Sequence, residues 1–173
     1  MSETLPQQPA RPNDAPGRWL DSIARGFALC SGMMLTAMAL MSVASIAGRS
    51  VFGRPLLGDY ELVQMMSAVA VAMALPYCQM ARGHVIVDFF TAGVSARGNA
   101  RLDLAAALLM ALCAFVLAWR TGVATLEFAR NNDASMLLGL PTWWGYAPMV
   151  PSFFLLGCAA LHTAAGHVRD LRG

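Results

Sequence analysis

Two histidines are the residues of this sequence whose type and position could bind a cofactor. His84 and His162 each lie near one end of a long apolar stretch, as the two axial ligands of a b-type haem in a membrane anchor would. Each also has a local role open to it. His84 precedes Asp88 by four residues and can hydrogen-bond to it on a helix, whereas His162 can interact with a helix end. We favour the local roles and predict no cofactor.

No other set of residues in the sequence predicts catalysis or metal binding. The chain has no HExxH motif, no glycine-rich phosphate loop and no plausible Ser/His/Asp or Cys/His arrangement. Its four cysteines show no CxxC spacing and suit helix packing. The apolar stretches carry no acid or base at mid-depth, which an ion pathway would ordinarily need. We therefore predict that the chain is not an enzyme and does not transport a solute alone.

Long apolar stretches are the elements that must position these residues. The chain has 173 residues, of which 57% are hydrophobic and 13% charged, and its mean hydropathy is +0.54. Four stretches contain no charged residue: 26–48, 62–81, 104–119 and 134–168. Because a transmembrane helix needs about 20 mostly apolar residues, we predict an all-α membrane protein with four transmembrane helices. Their predicted positions are 26–47, 62–81, 103–120 and 143–165.

Charge predicts the orientation of these four helices. The side that holds both termini and the loop 82–103 carries eight arginines, and the other side carries four. Since arginine is enriched in cytoplasmic loops, both termini are predicted to be cytoplasmic.

The sequence predicts one membrane domain, residues 18–173. It follows a polar, proline-rich tail, residues 1–17, that we expect to be disordered. The net charge of +2 is too small and too dispersed to predict nucleic-acid binding.

A short amphipathic helix is predicted at about 84–97, between Gly83 and Gly98. On a helix, one narrow polar stripe would contain His84, Asp88, Thr91 and Ser95. Phe89 belongs to the broad apolar face. Such a helix is too short to cross a bilayer, so we expect it to lie in the plane of the cytoplasmic surface, against lipid or another membrane protein.

Three segments form an ordered set of motifs. GRSVFGRPL at 48–56 contains Arg49 and Phe52 and is followed by Glu61, while RGHVIVD occupies 82–88 and SMLLGLPTWW occupies 135–144. Together they resemble the small membrane subunit of tripartite ATP-independent periplasmic (TRAP) transporters, the DctQ-like family. The second segment is similar to that family's R-x-G-H-I-x-V-D, with one residue fewer before the glycine, and the third to S-x-x-L-G-x-P-x-W. The stretch GDYE at 58–61 departs from the family, which usually shows an aromatic residue and a pair of acids there, so the role of that acidic pair is carried over to Glu61 and not to Asp59.

The resemblance implies a non-catalytic scaffold in the bacterial inner membrane. It implies a large multi-span permease subunit as partner, which is a sodium-coupled elevator, and a periplasmic binding protein that delivers organic acids of the C4-dicarboxylate kind. Candidate family-motif or partner-contact residues are Arg49, Phe52, Glu61, Arg82, Gly83, His84, Asp88, Phe89, Gly139, Pro141 and Trp143. The alternative function is a membrane anchor of a respiratory enzyme that binds haem through the two histidines.

Each motif also has an interpretation that needs no partner protein. Arg49 and Arg82 can bind lipid phosphates at the two membrane surfaces. Glu61 lies at the predicted start of a helix, where the helix dipole favours a negative charge. The segment 135–144 can cap and seat the fourth span as readily as contact a periplasmic protein. Both interpretations stay open at the level of the sequence.

Overall fold

The chain folds into helices joined by short connections. The computed structural model describes residues 15–53, 58–81 and 96–172. The helices in these ranges are α1 (Ala15–Phe52), α2 (Asp59–Met80), α3 (Ala96–Asn131), α4 (Trp143–Tyr146) and α5 (Met149–Arg172). The described ranges contain no strand beyond an isolated bridge between Ala134 and Pro141.

Four helical segments are long and apolar enough to cross a membrane. They are Gly17–Val51, Asp59–Met80, Leu102–Asn131 and Trp143–Gly166, the last of which combines α4 and α5. For the described residues, the prediction of an all-α chain with four helices long and apolar enough to cross a membrane is therefore confirmed. At 1.5 Å per residue, α1 with 38 residues and α3 with 36 residues are about 57 and 54 Å long. Both exceed the roughly 30 Å hydrocarbon core of a bilayer, so both continue beyond their apolar stretches.

The predicted in-plane helix lies mostly outside the described residues. Its last two residues, Ala96 and Arg97, are the first two residues of α3. Gly98, which the prediction placed after the in-plane helix, lies inside α3. One glycine in a helix costs only about 1 kcal/mol relative to alanine, so α3 continues through it, and the in-plane helix stays a prediction.

The long helices pack as a row in the order α1, α2, α5, α3. Contacts are extensive between α1 and α2, between α2 and α5, and between α5 and α3, whereas α1 touches α5 only slightly. Small residues allow the close approach of α3 to α5: Ala114 and Ala118 of α3 lie in one buried cluster with Phe153 and Leu156. At Gly157, an added Cβ would lie 2.9 Å from the ring of Phe115, so the two backbones are nearly as close as they can be.

α1 is attached to α2 by a narrow seam of small side chains. Three of its buried residues, Ala24, Ser31 and Ser45, lie at a spacing of seven or fourteen. A helix drifts by only about 20° over seven residues, so these positions share one face. The hydroxyl of the buried Ser31 donates to the Ala70 carbonyl of α2 at 2.7 Å. Small residues let two helices approach closely, and the remainder of the α1 circumference carries larger, exposed side chains.

Candidate functional site

The carboxylate of Glu61 binds a turn that is far away in the sequence. Glu61 lies in the first turn of α2. Its two oxygens accept the backbone N–H groups of Leu137 at 3.0 Å and Leu138 at 3.2 Å. The Ser135 hydroxyl and the Met136 amide interact with the same carboxylate. A carboxylate accepts hydrogen bonds at both oxygens, so one acidic side chain can bind several residues of this turn. The turn comprises residues 135–140 and is here named the Glu61 turn.

The backbone of the Glu61 turn is also closed by its own hydrogen bonds. The Ser135 N–H donates to the Leu140 carbonyl at 2.8 Å, and the Gly139 N–H donates to the Ser135 carbonyl at 3.1 Å. The Leu140 N–H donates to the Ser135 hydroxyl at 3.3 Å. Gly139 adopts φ +63°, a left-handed conformation that glycine reaches at the lowest cost. The predicted motif residue Gly139 thus lies where the chain reverses.

Gly58 fits beneath the Glu61 turn, and sequence reasoning did not select it. It precedes α2 with φ +78°, and an added Cβ would lie only 2.3 Å from the side chain of Leu138. Both the backbone conformation and the available space therefore require glycine. The signal available in the sequence was a glycine directly before the acidic start of a predicted helix, but nothing in the sequence indicated contact with residue 138.

Asp59 connects the same end of α2 to α1. Its carboxylate accepts a hydrogen bond from the Ser45 hydroxyl and another from the Tyr60 N–H at 2.8 Å, and the positive charge of Arg49 acts on it. Asp59 was not among the predicted site residues, yet it has a defined structural role. The two acids of α2 therefore bind different parts of the chain: Asp59 binds α1, and Glu61 binds the turn before α4.

An open cleft of about 380 Å³ lies beside the Glu61 turn. Polar groups line it at Glu61, Gln64, Ser135 and Thr142, and apolar groups at Met65, Met136 and Met149. Glu61 and Ser135 are already engaged in holding the turn. The part of the chain that the structure describes contains no group of three or more His, Cys, Asp or Glu residues that could hold a metal ion. The geometry is that of a structural junction.

Aromatic residues follow the Glu61 turn. The Trp143 and Trp144 rings meet edge to face with centroids 6.1 Å apart, and Tyr146 packs against Phe128 of α3 at 4.9 Å. Pro141 forms the isolated bridge with Ala134, and the Thr142 N–H donates to the Asp133 carbonyl at 2.9 Å. The motif 135–144 is thus one folded unit that leads into α4.

The remaining predicted site residues within the described ranges lie outside the Glu61 turn. Arg49 is exposed in the last turn of α1, and Phe52 ends that helix. His162 is half-buried in α5. Five predicted residues lie outside the described ranges: Arg82, Gly83, His84, Asp88 and Phe89. The roles predicted for the RGHVIVD segment therefore stay predictions.

A model of a known protein family matches most of the chain. Residues 38–172 match the family model described as "Tripartite ATP-independent periplasmic transporters, DctQ component". The matched region includes the Ser45–Asp59 contact, the Glu61 turn and all of α2, α3, α4 and α5. No curated protein and no solved structure matches the chain.

Proposed function

The chain belongs to the DctQ component family of tripartite ATP-independent periplasmic transporters, and we propose that it is the non-catalytic subunit that scaffolds the large permease subunit. In this proposal the large subunit moves the solute, driven by sodium, and a periplasmic protein delivers organic acids of the C4-dicarboxylate kind. The chain lies in the inner membrane with both termini in the cytoplasm. The Glu61 turn then faces the periplasm, since α2 starts on the side opposite the termini.

The exposed apolar surface of α1 is the observation that carries the proposal. Within the 18-residue apolar window that qualifies α1 as a candidate span, only 6% of the residues are buried. Large side chains cover the face away from the seam, including Leu29, Met33, Leu40, Val43 and Ile46. A helix held along one narrow edge leaves most of its circumference for neighbours. An extensive apolar surface of this kind suits a second membrane protein as well as lipid.

The distribution of charge supports a scaffold over a conduit. The sequence contains no charged residue between Leu62 and Met80 or between Leu104 and Trp119. Intramembrane ionisable residues typically mark ion and substrate pathways. The acids at the start of α2, Asp59 and Glu61, hold the protein's own helices and turn together. Polar groups in this chain therefore serve internal contacts, which suits a rigid support for a moving partner.

A pull-down from native membranes tests the proposal. The tagged chain is extracted in mild detergent, and its companions are identified by mass spectrometry. The expected result is a stoichiometric, larger polytopic partner. Recovery of the chain alone, or with soluble redox subunits, would contradict the scaffold role and favour the respiratory anchor.

A matched pair of variants then locates the docking face. Leu40→Trp adds bulk to the exposed face of α1, and Leu109→Trp adds the same bulk to the exposed face of α3. Fluid lipid accommodates a larger apolar side chain, but a packed protein interface does not. We expect the α1 variant to lose partner recovery and the α3 variant to keep it. The reverse pattern would move the docking face to α3.

A further inference from the structure

The Glu61 turn presents apolar side chains outward. Met136 is 98% exposed and Leu137 is 65% exposed, and they are consecutive at the tip of the turn. A tight turn on a water-exposed surface normally carries Gly, Asn, Asp or Ser. The tip of this turn instead carries two large apolar side chains, whose exposure to water is unfavourable.

The backbone of this turn is prepared for an environment poor in water. The N–H groups of Ser135, Leu137, Leu138, Gly139 and Leu140 all donate to acceptors within the protein. A backbone N–H that loses water without gaining a partner is costly to bury in an apolar medium. Glu61 and Ser135 remove that cost for the turn, although the tip side chains themselves have few protein contacts.

Two contacts fix the depth of the turn relative to the membrane. Glu61 lies in the first turn of the candidate span Asp59–Met80, and Leu138 rests on Gly58, directly before that span. The span has 22 residues, or about 33 Å of helix, which is close to the roughly 30 Å thickness of a hydrocarbon core. The turn therefore lies level with the boundary between headgroups and acyl chains, where it can reach lipid.

The charge pattern matches the same depth. Asp133 is the last charged residue before the turn, and no charged residue follows until Arg169. Trp144 is exposed beside the turn, and tryptophan is enriched at membrane interfaces. The uncharged, apolar character of the fourth span thus extends backwards through the turn without interruption.

We propose that Met136 and Leu137 insert into the headgroup–acyl boundary of the nearby leaflet, so that the Glu61 turn is a lipid anchor. The occupant of this surface is the phospholipid bilayer. The anchor braces the junction of α2, α3 and α4 against the membrane surface. It goes beyond the scaffold role, because it requires no second protein.

Depth-dependent fluorescence quenching tests the anchor. The four native cysteines are first replaced by alanine: Cys30, Cys78, Cys113 and Cys158. Met136→Cys in the full-length chain is then labelled with an environment-sensitive fluorophore and reconstituted into phosphatidylcholine vesicles, with and without lipids that carry a spin label near the headgroup. Asn131→Cys, an exposed position at the end of α3, is the aqueous control, and Leu108→Cys, exposed within the α3 span, is the membrane control.

The expected result is a blue-shifted emission at position 136 and its loss in spin-labelled lipid. The probe at position 131 should instead be quenched by aqueous iodide. Iodide quenching at position 136 without quenching by the spin-labelled lipid would overturn the proposal. If the large partner subunit is co-reconstituted and abolishes lipid quenching at position 136, the occupant is protein and the lipid anchor is also overturned. The comparison of iodide and spin-label quenching uses this chain alone and does not depend on the pull-down, so this proposal and the scaffold proposal can fail separately.

Discussion

Glu61 accepts the backbone N–H of Leu138 at 3.2 Å, although the two residues are 77 positions apart in the chain. This contact joins the first turn of α2 to the connection between α3 and α4. The Leu137 N–H donates to the same carboxylate at 3.0 Å, so this side chain binds two consecutive backbone amides. One side chain therefore ties the connection between α3 and α4 to the start of α2.

Glu61→Gln should loosen the Glu61 turn. A glutamine side chain can offer only one acceptor oxygen, and its NH₂ group would face backbone N–H donors. We expect a lower thermal unfolding midpoint for the purified protein and faster hydrogen exchange at residues 137 and 138. Glu127→Gln, an exposed substitution on α3, is the control. Equal midpoints for the two variants would show that the carboxylate does not hold the turn.

Gly58→Ala should destabilise the same junction through a clash with Leu138. A non-glycine residue in the left-handed region costs about 1–2 kcal/mol, and the new Cβ would collide with Leu138. The free energy of unfolding should fall by at least that amount. Combination with Leu138→Ala should restore only the steric part of the loss. Gly26→Ala, where an added Cβ meets nothing within 4 Å, should be neutral or slightly stabilising.

Gly157→Ala should disturb the packing of α3 against α5. The added methyl group would lie 2.9 Å from the ring of Phe115, and overpacking typically costs about 1–3 kcal/mol. Calorimetry in detergent should show reduced stability. Phe115→Leu in the same chain should recover part of it by making room. Failure of this rescue would mean that the two residues are not in contact.

Ser31→Leu should separate α1 from α2. Ser31 is buried in the small-residue seam, and a leucine there cannot fit between closely packed backbones. Ser31→Ala should have a small effect, since an interhelical hydrogen bond in a membrane averages about 0.6 kcal/mol. Thr36→Leu is the matched control, because Thr36 is exposed and bonds only within its own helix. Cross-linking of cysteine pairs between α1 and α2 should be lost only in Ser31→Leu.

The proposed orientation can be measured in intact cells. In a chain whose native cysteines have been replaced, Asn131→Cys should react with a membrane-impermeant maleimide from the periplasm. Arg18→Cys, near the start of α1 and on the other side of the membrane in this proposal, should react only after the inner membrane is permeabilised. The inverse labelling would mean that the arginine distribution gave the wrong orientation.

The sequence was informative about local structure and less informative about long-range contacts. The four apolar stretches predicted the spanning helices because burial in lipid demands length and apolarity. Glycine at position 139 and proline at position 141 belonged to the predicted motif before the fourth span, and the structure places both in the connection that leads into α4. Gly98 did not mark a helix end, since α3 continues through it, and a single glycine is only a weak signal for such a boundary.

The contacts of Glu61 could not be predicted from local pattern. Its bonds to Leu137 and Leu138 depend on how α2 and α3 are placed around α5, which no periodicity encodes. The same holds for Gly58. There is no room for a Cβ at this position because of the Leu138 side chain, 80 positions later in the chain. Asp59 was set aside on the family pattern, although its contact with Ser45 joins two helices.

The row of helices α1, α2, α5 and α3 gives this protein the form of a wall in the bilayer. A round four-helix bundle would enclose most of its apolar surface, but a wall has two broad sides and two free ends. If one side is taken by a partner, the other still meets lipid along its full width. In the proposed complex, such a wall would resist being dragged sideways or rotated by a moving partner, because a large number of lipids would have to flow around it.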